Sequence, residues 1–354
     1  MVKRFIISVL LLLSSIASAV SLDSDRPWLS ISDPNIMSSK FIRVHDQLPL
    51  KGIVKNQQNF WSGDYWAIKL GNINYRWNQP VPAGFHLDSP SKKRLLSMTL
   101  EAKAFLAPSE KFDLLNGLYD YPLTREVAKH VRPDAAEWEG ICHGWAPASM
   151  GHAEPQPVVM INADGIQIPF GSSDIKALLS YYYAYKYKAD NHIMGWRCAG
   201  NRWSRDDCND DLNAGAFHIV LTNMVGIRGK SFIGDLDNGT EVWNHPIYSY
   251  QVDVLDANLP PDGSSAGGTV KVVRVRTTMD YVDESEKNTW GPLIGTPDQM
   301  FDQKVYTYDL DIDDDGMIIG GDWLSEDRPD FLWLIKPVSK FEGKFTRLRE
   351  LLED

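Results

Sequence analysis

The stretch Gly140-Ile141-Cys142-His143-Gly144-Trp145-Ala146-Pro147-Ala148-Ser149 has the composition of a thiol nucleophile with its support. The cysteine follows a polar, acidic run, Asp134 to Glu139. Small residues after it (Gly144, Ala146, Ala148, Ser149) allow a helix to pack closely on a sheet. At a helix N-terminus a cysteine meets unpaired backbone N–H groups and the positive end of the helix dipole, and both favour the reactive thiolate. One of those N–H groups can also hold the oxyanion that forms when the sulfur attacks an amide. The expectation is a low-pKa thiolate on a helix. A buried structural cysteine is the competing reading, since free cysteine is among the most buried residue types.

A thiol nucleophile needs a base, and His218 is the candidate. It lies in Ala216-Phe217-His218-Ile219-Val220-Leu221, read as a strand in which Phe217, Ile219 and Leu221 share one face. Gly226 and Gly229 then turn the chain into a second strand, Ser231 to Asp235. With the turn centred near Gly226-Ile227, His218 faces Asp235. A carboxylate across from an imidazole fixes its tautomer and stabilises the imidazolium. Asp237 is next along the same face, and a core histidine satisfied by one hydrogen bond is the alternative reading. His143 stands about 100° round a helix from Cys142, a poor direction for a base. His130, His152, His192 and His245 stand in loops or beside Pro or Gly and are read as surface residues. Trp138 and Trp145, the indoles beside the nucleophile, are the candidates for a second oxyanion donor, against the commoner role of packing.

The chain also carries an address. Met1 to Ala19 has a basic start (Lys3, Arg4), an apolar run from Phe5 to Leu13 and the ending Ala17-Ser18-Ala19. That is the pattern of a secretory signal peptide, so an extracellular or periplasmic protein is expected. No later stretch is long and apolar enough for a transmembrane helix. The net charge is -11 and no basic block is present, which argues against nucleic acid or an anionic membrane surface as partner. In an oxidising compartment an odd cysteine count leaves one thiol unpaired. Cys198 and Cys208 share one polar loop, Arg197 to Asn213, and are expected to form a disulfide that leaves Cys142 free. No cysteine–histidine grouping has zinc spacing.

Around these residues the pattern is α+β: a helix carrying the nucleophile, packed on a mostly antiparallel sheet. Helical spacing runs over 91–106 and 109–118, and Ser172 or Ser173 caps a helix that buries Ile175, Leu178 and Leu179. Strands are expected at 216–221, 231–235, 248–255, 270–277, 305–312 and 317–321. Residues 20–130, with aromatic loops around Trp61 and Trp77, form an N-terminal segment, part of it a candidate propeptide; residues 131–354 form the catalytic domain. Asp311, Asp313, Asp315 and Asp322 occupy positions 1, 3, 5 and 12 of a twelve-residue EF-hand-type loop with glycine at position 6. The flanks are β-patterned and Asp315-Gly316 is a hairpin signal, so a plain turn is expected and a calcium loop is the alternative. The chemistry requires no cofactor, and calcium is the one cation the sequence suggests.

Trp138-Glu139-Gly140-Ile141-Cys142-His143-Gly144-Trp145-Ala146 resembles the catalytic segment of the transglutaminase elicitor family, known from oomycete plant pathogens and some bacteria. Trp61-Ser62-Gly63-Asp64-Tyr65-Trp66, Ile168-Pro169-Phe170-Gly171-Ser172-Ser173-Asp174, Phe217-His218-Ile219-Val220-Leu221 and Asp330-Phe331-Leu332-Trp333 fit the same family. Glu241-Val242-Trp243-Asn244-His245-Pro246-Ile247 resembles its elicitor epitope. There His245, Ile247 and Ser249 replace the family's glutamine, valine and glycine, departures that bear on immune recognition and not on catalysis. The resemblance spans about residues 55–340. It implies protein-glutamine γ-glutamyltransferase activity on a papain-like cysteine-protease core, with Cys142, His218 and Asp235 matching the triad. The implied substrates are glutamine- and lysine-bearing proteins or primary amines, joined through a thioester. The competing enzyme is a secreted cysteine peptidase or amidase in which water replaces the amine. A non-catalytic surface protein whose aromatic loops bind a partner is the reading from another class.

Overall fold

The computed structural model describes residues 28–56, 59–80, 88–197, 212–285 and 287–352. Its strands are β1 Lys51–Ile53, β2 Val158–Ile161, β3 Gln167–Phe170, β4 His192–Gly195, β5 Phe232–Asp235, β6 Asn244–Leu259, β7 Lys271–Val282, β8 Phe301–Ile312, β9 Ile318–Trp323 and β10 Phe331–Leu334. β2 and β3 form a hairpin of their own. The others make one sheet in the order β4-β10-β5-β6-β7-β8-β9, with β1 beside β6, and each pairing is antiparallel. The period-two pattern explains the central strands: in β7, Val273, Val275, Thr277 and Met279 are buried while Arg274, Arg276 and Thr278 are not. The expected strands from 231 onward are all present, several of them longer than their patterned cores.

The helices are α1 Lys92–Ser97, α2 Leu100–Ala104, α3 Pro108–Leu115, α4 Pro122–Ala128, α5 Cys142–Gly151, α6 Ser172–Tyr185 and α7 Ala214–Leu221. The helical spacing over 91–106 is divided at Thr99, whose hydroxyl accepts the Ala102 N–H and starts α2 afresh. Asp113 of α3 accepts the N–H groups of Leu123 and Thr124 at 2.9 Å each and so caps α4. The cap of α6 is Gly171, one residue before the serines, and the Asp174 carboxylate accepts its N–H at 2.7 Å. Asp174 also receives Lys111 Nζ at 2.6 Å, with both side chains fully buried, which ties α3 to α6. One apolar core runs through both halves of the chain and includes Trp61, Phe112, Trp145, Leu178 and Phe217. Among the described residues no helix is long and apolar enough to cross a membrane.

Residues 216–221, expected as a strand, belong to α7. Asn213 caps this helix, its side-chain oxygen accepting the N–H of Gly215 at 2.9 Å and of Ala216 at 3.2 Å. The helix then widens into a π-helical turn over Thr222–Ile227. All eight residues of α7 are buried, so the sequence offers no alternation by which to tell a helix from a strand. Gly215 lets α7 lie directly on β9, because a β-carbon there would run into the Gly320 carbonyl. Asp235 on β5 consequently stands across from Asn244 of β6 and Phe331 of β10, and the expected pairing with His218 is not made.

The β8–β9 connection is a hairpin turn. Asp313 Oδ1 accepts the N–H of Asp315 at 3.0 Å and of Met317 at 2.8 Å, and Gly316 adopts a φ of +76°, which glycine tolerates best. Asp311 and Asp322 turn instead toward the loop after β6, accepting the Ala266 N–H at 3.0 Å and the Ser264 hydroxyl at 2.9 Å. The carboxylates of Asp311, Asp313, Asp315 and Asp322 therefore do not converge, and strands stand where a calcium loop has helices. The plain turn is what forms.

Candidate active site

Cys142 is the first residue of α5, and the segment 61–68 fixes how the chain enters that helix. The Ile141 N–H donates to the Tyr65 carbonyl at 2.6 Å, and the Ile68 N–H to the Glu139 carbonyl at 2.8 Å. Gly140 is required between them, because a β-carbon there would run into the Tyr65 backbone. Farther along, the Ser149 hydroxyl donates to the Trp61 carbonyl at 2.8 Å and accepts the Trp61 N–H at 3.0 Å. α5 packs on α6 and on the start of β6, and Gly144 permits the approach to α6, since a β-carbon there would meet the Ser180 carbonyl. The Ile141 carbonyl accepts from both Gly144 and Trp145. Within the described residues, the N–H groups of Cys142 and His143 have no partner, as expected for the first turn of a helix.

The Cys142 side chain is 4 % exposed and lies on the wall of a cavity of about 390 Å³ lined by Trp138, His143, Tyr183, Tyr187 and Trp333 among others. Sγ donates to the Val242 carbonyl at 3.5 Å and accepts from Asn244 Nδ2 at 3.4 Å. Asn244 Oδ1 in turn accepts from Trp333 Nε1 at 2.8 Å. Burial pushes the thiol up to about 12, the negative charge of Glu284 adds to this, and the hydrogen bonds from Asn244 oppose it. These effects run against the low-pKa thiolate expected of a helix N-terminus. Desolvation and two nearby carboxyls, Glu284 and Asp235, outweigh the helix dipole, whose usual worth is at most about 2 kcal/mol.

Beside α5 lies a polar cluster, one residue buried and two half-buried, that the sequence did not reveal. His245, Asp283 and Glu284 bring one ligand-type atom each to within 4.8 Å of one another. His245 Nδ1 is 3.4 Å from Asp283 Oδ1 and 3.3 Å from the Val282 carbonyl, and its ring meets the edge of Trp145 at 6.5 Å. Among the described residues, Glu284 Oε1 is buried without a hydrogen-bond partner. Burial, and then the charge of Asp283, holds the Glu284 carboxyl well above the usual range. His245, read from sequence as a surface residue beside a proline, is 7 % exposed. Pro246 sits within β6, opposite Ile233, so the proline that suggested a loop lies inside a strand.

The other expected residues are placed as follows. His218 is fully enclosed on α7, where Nδ1 and the Tyr308 hydroxyl are 2.8 Å apart and Tyr308 in turn is 2.7 Å from the Thr277 hydroxyl. Burial pushes its imidazole down to about 3. α7 packs on β8 and β9, and no hydrogen bond joins His218 to Cys142. Asp235 does lie near the thiol: it accepts the Trp243 N–H at 3.2 Å, and burial raises its carboxyl to about 8. Trp138 is half-buried on the cavity wall, with the Arg197 guanidinium 5.3 Å from its ring. Trp145 is fully buried, its Nε1 close to Gly63 and without a hydrogen-bond partner among the described residues. Cys198 and Cys208 lie outside the described residues.

Two comparisons with known proteins bear on this arrangement. Over residues 133–344 the chain matches the family model described as transglutaminase elicitor. The crystal structure of the GP42 transglutaminase from Phytophthora sojae is similar with a TM-score of 0.67 and 24 % identity, covering 90 % of this chain and 94 % of that one. No curated protein matches the chain. The likeness to GP42 is a likeness of fold, a mixture of helices and antiparallel sheet shared over nearly the whole length. The family match spans more than half of the sequence and includes Cys142, Asn244, Glu284 and Trp333. This chain belongs to the transglutaminase elicitor family.

Proposed function

We propose that this protein is an exported protein-glutamine γ-glutamyltransferase, with Cys142 as nucleophile in a papain-like arrangement of helix-borne thiol and antiparallel sheet. The observation that carries this reading is the position of Cys142, at the N-terminus of α5 beside unpaired N–H groups and on the wall of an aromatic cavity. The sulfur attacks the γ-carboxamide carbon of a protein glutamine. The thiol proton passes to the Glu284–His245–Asp283 cluster and on to the departing ammonia, leaving a γ-glutamyl thioester. A lysine amine then attacks, the cluster takes its proton, and an isopeptide bond forms as the thiol is restored. Glu284 suits the first transfer because its charge acts directly on the thiol. Burial raises the Glu284 carboxyl, which makes its ionised form a stronger proton acceptor than an ordinary carboxylate. Aromatic walls that limit water at the thioester favour transfer to an amine over hydrolysis.

The test is incubation of the protein with a labelled primary amine and a glutamine-bearing protein. Covalent label with one ammonia released per label is expected. Ammonia without label supports the peptidase or amidase reading, and neither product removes acyl transfer altogether.

His218 is left outside this relay, which yields a separate expectation. His218→Gln lowers the unfolding free energy near pH 7 by about 1–3 kcal/mol, the cost of a disturbed buried hydrogen bond. Turnover per folded molecule stays within about threefold. The folded imidazole has its pKa pushed below the ordinary value. The ring's contribution to wild-type stability is therefore fully present above about pH 6.5 and lost as pH falls toward about 3, because the unfolded chain takes up a proton that the buried ring refuses. The variant lacks that part of the slope. Denaturant unfolding at about pH 7 and about pH 5 measures it, and a hundredfold fall in turnover by a folded variant would put His218 back into the chemistry.

A further inference from the structure

We infer that the side-chain amide of Asn244, held in one orientation by the Trp333 indole, is the second donor to the oxyanion formed at Cys142, the partner of the Cys142 backbone N–H. This rests on the acyl-transfer reading above. An asparagine's oxygen and nitrogen are ordinarily assigned from the surrounding hydrogen bonds alone. Here the neighbour is decisive. An indole N–H donates and cannot accept, so the group 2.8 Å from Trp333 Nε1 is the amide oxygen, and the amide nitrogen faces Sγ at 3.4 Å. Asn244 is 3 % exposed and Trp333 is 6 % exposed, and both side chains line the same cavity as Cys142. Asn244 opens β6 and Trp333 belongs to β10, with β5 between them, so the sheet itself fixes the pair.

In the resting state the amide meets a thiol sulfur, a weak acceptor. During attack the Sγ–carbon bond forms and the carbonyl π pair moves to oxygen, one bond beyond the attacked carbon. A donor already beside Sγ then finds a full negative charge within reach. On collapse the pair returns, the carbon–nitrogen bond breaks and ammonia leaves with the proton that came from the thiol. Amine attack on the thioester forms a second oxyanion in the same place. An interaction that is weak before attack and strong during it lowers the barrier without tightening substrate binding. Asn244 touches the reacting atoms and is a catalytic residue on this account, and Trp333 is a positioning residue.

Kinetics of amine incorporation test the pair. Asn244→Ala should lower kcat by about 10²- to 10³-fold with KM within about threefold, the usual loss for one oxyanion donor. Asn244→Asp keeps the shape and replaces the donor by an acceptor, so kcat should fall at least as far, and further as pH rises. Trp333→Phe removes only the indole N–H and should give a smaller loss. Combined with Asn244→Ala it should cost little more than Asn244→Ala alone, since the indole acts through the amide. A merely structural Asn244 would show as a raised KM or a lost fold with kcat per folded molecule preserved, and that result in either Asn244 variant overturns the inference. Near-ultraviolet circular dichroism reports the fold of each, and the isosteric aspartate decides if the alanine variant does not fold. Wild-type protein that incorporates no amine would instead count against the acyl-transfer reading itself.

Discussion

Cys142→Ala reduces amine incorporation to background, a loss of at least about 10⁴-fold, and Cys142→Ser does nearly the same. Removing the nucleophile from a covalent mechanism leaves only the stabilisation that the binding site and oxyanion donors give to direct attack, and losses near 10⁶-fold are known for such sites. The serine variant is the sharper control. A hydroxyl can donate to the Val242 carbonyl and accept from Asn244 much as the thiol does, so packing and hydrogen bonding change little. What is lost is the easier ionisation and greater nucleophilicity of sulfur. Both variants should unfold within a few degrees of wild type, because one small buried atom is deleted or exchanged and the stability change is of order 1 kcal/mol. Amine incorporation beside thermal unfolding measures the two effects. A folded variant that retains more than about a hundredth of wild-type turnover moves the nucleophile elsewhere.

The helix that begins at Cys142 was legible because its requirements are local: a cysteine, a helix start and small residues within ten positions. The long strands were legible for the same reason, since alternation along β7 and β8 records which face is buried. The hairpin at Asp315-Gly316 was legible from turn chemistry. α7 was not, because a run buried on all sides carries no period, and its one local signal was the capping Asn213. Once 214–221 is a helix, the strand partners of Asp235 change, and the expected pairing with His218 is lost. The site's other contacts are long-range. Asn244 and Trp333 are 89 positions apart, Cys142 and Asn244 are 102 apart, and Tyr65 holds Ile141 from 76 positions upstream. Nothing in the local sequence of Glu284 marks it as buried beside a thiol. Tertiary packing supplies that information, and one chain read alone contains it only implicitly.

The resting thiol should prove unreactive, and the size of the effect separates this site from one with a preformed thiolate. Iodoacetamide reacts with the thiolate, so its rate follows the ionised fraction. Burial and the charge of Glu284 push the Cys142 thiol from the ordinary 9.0 up to about 12. At neutral pH the ionised fraction, and with it the rate, should therefore lie roughly 10³-fold below that of a model thiol. The sign of the pH dependence is fixed: deprotonation becomes easier as pH rises, so the rate climbs about tenfold per unit through the alkaline range without levelling below about pH 9. Glu284→Gln removes a like charge and shifts the curve toward lower pH, so alkylation of that variant is faster at a given alkaline pH. Its turnover should nevertheless fall, because the group proposed to take the thiol proton is gone. Such opposite movements would not arise if Glu284 merely packed against the site. Stopped alkylation followed by peptide mass analysis gives the rate at Cys142. A wild-type rate that levels off below about pH 8 would mean that the thiolate is already formed and that the carboxyls beside it do not govern its proton.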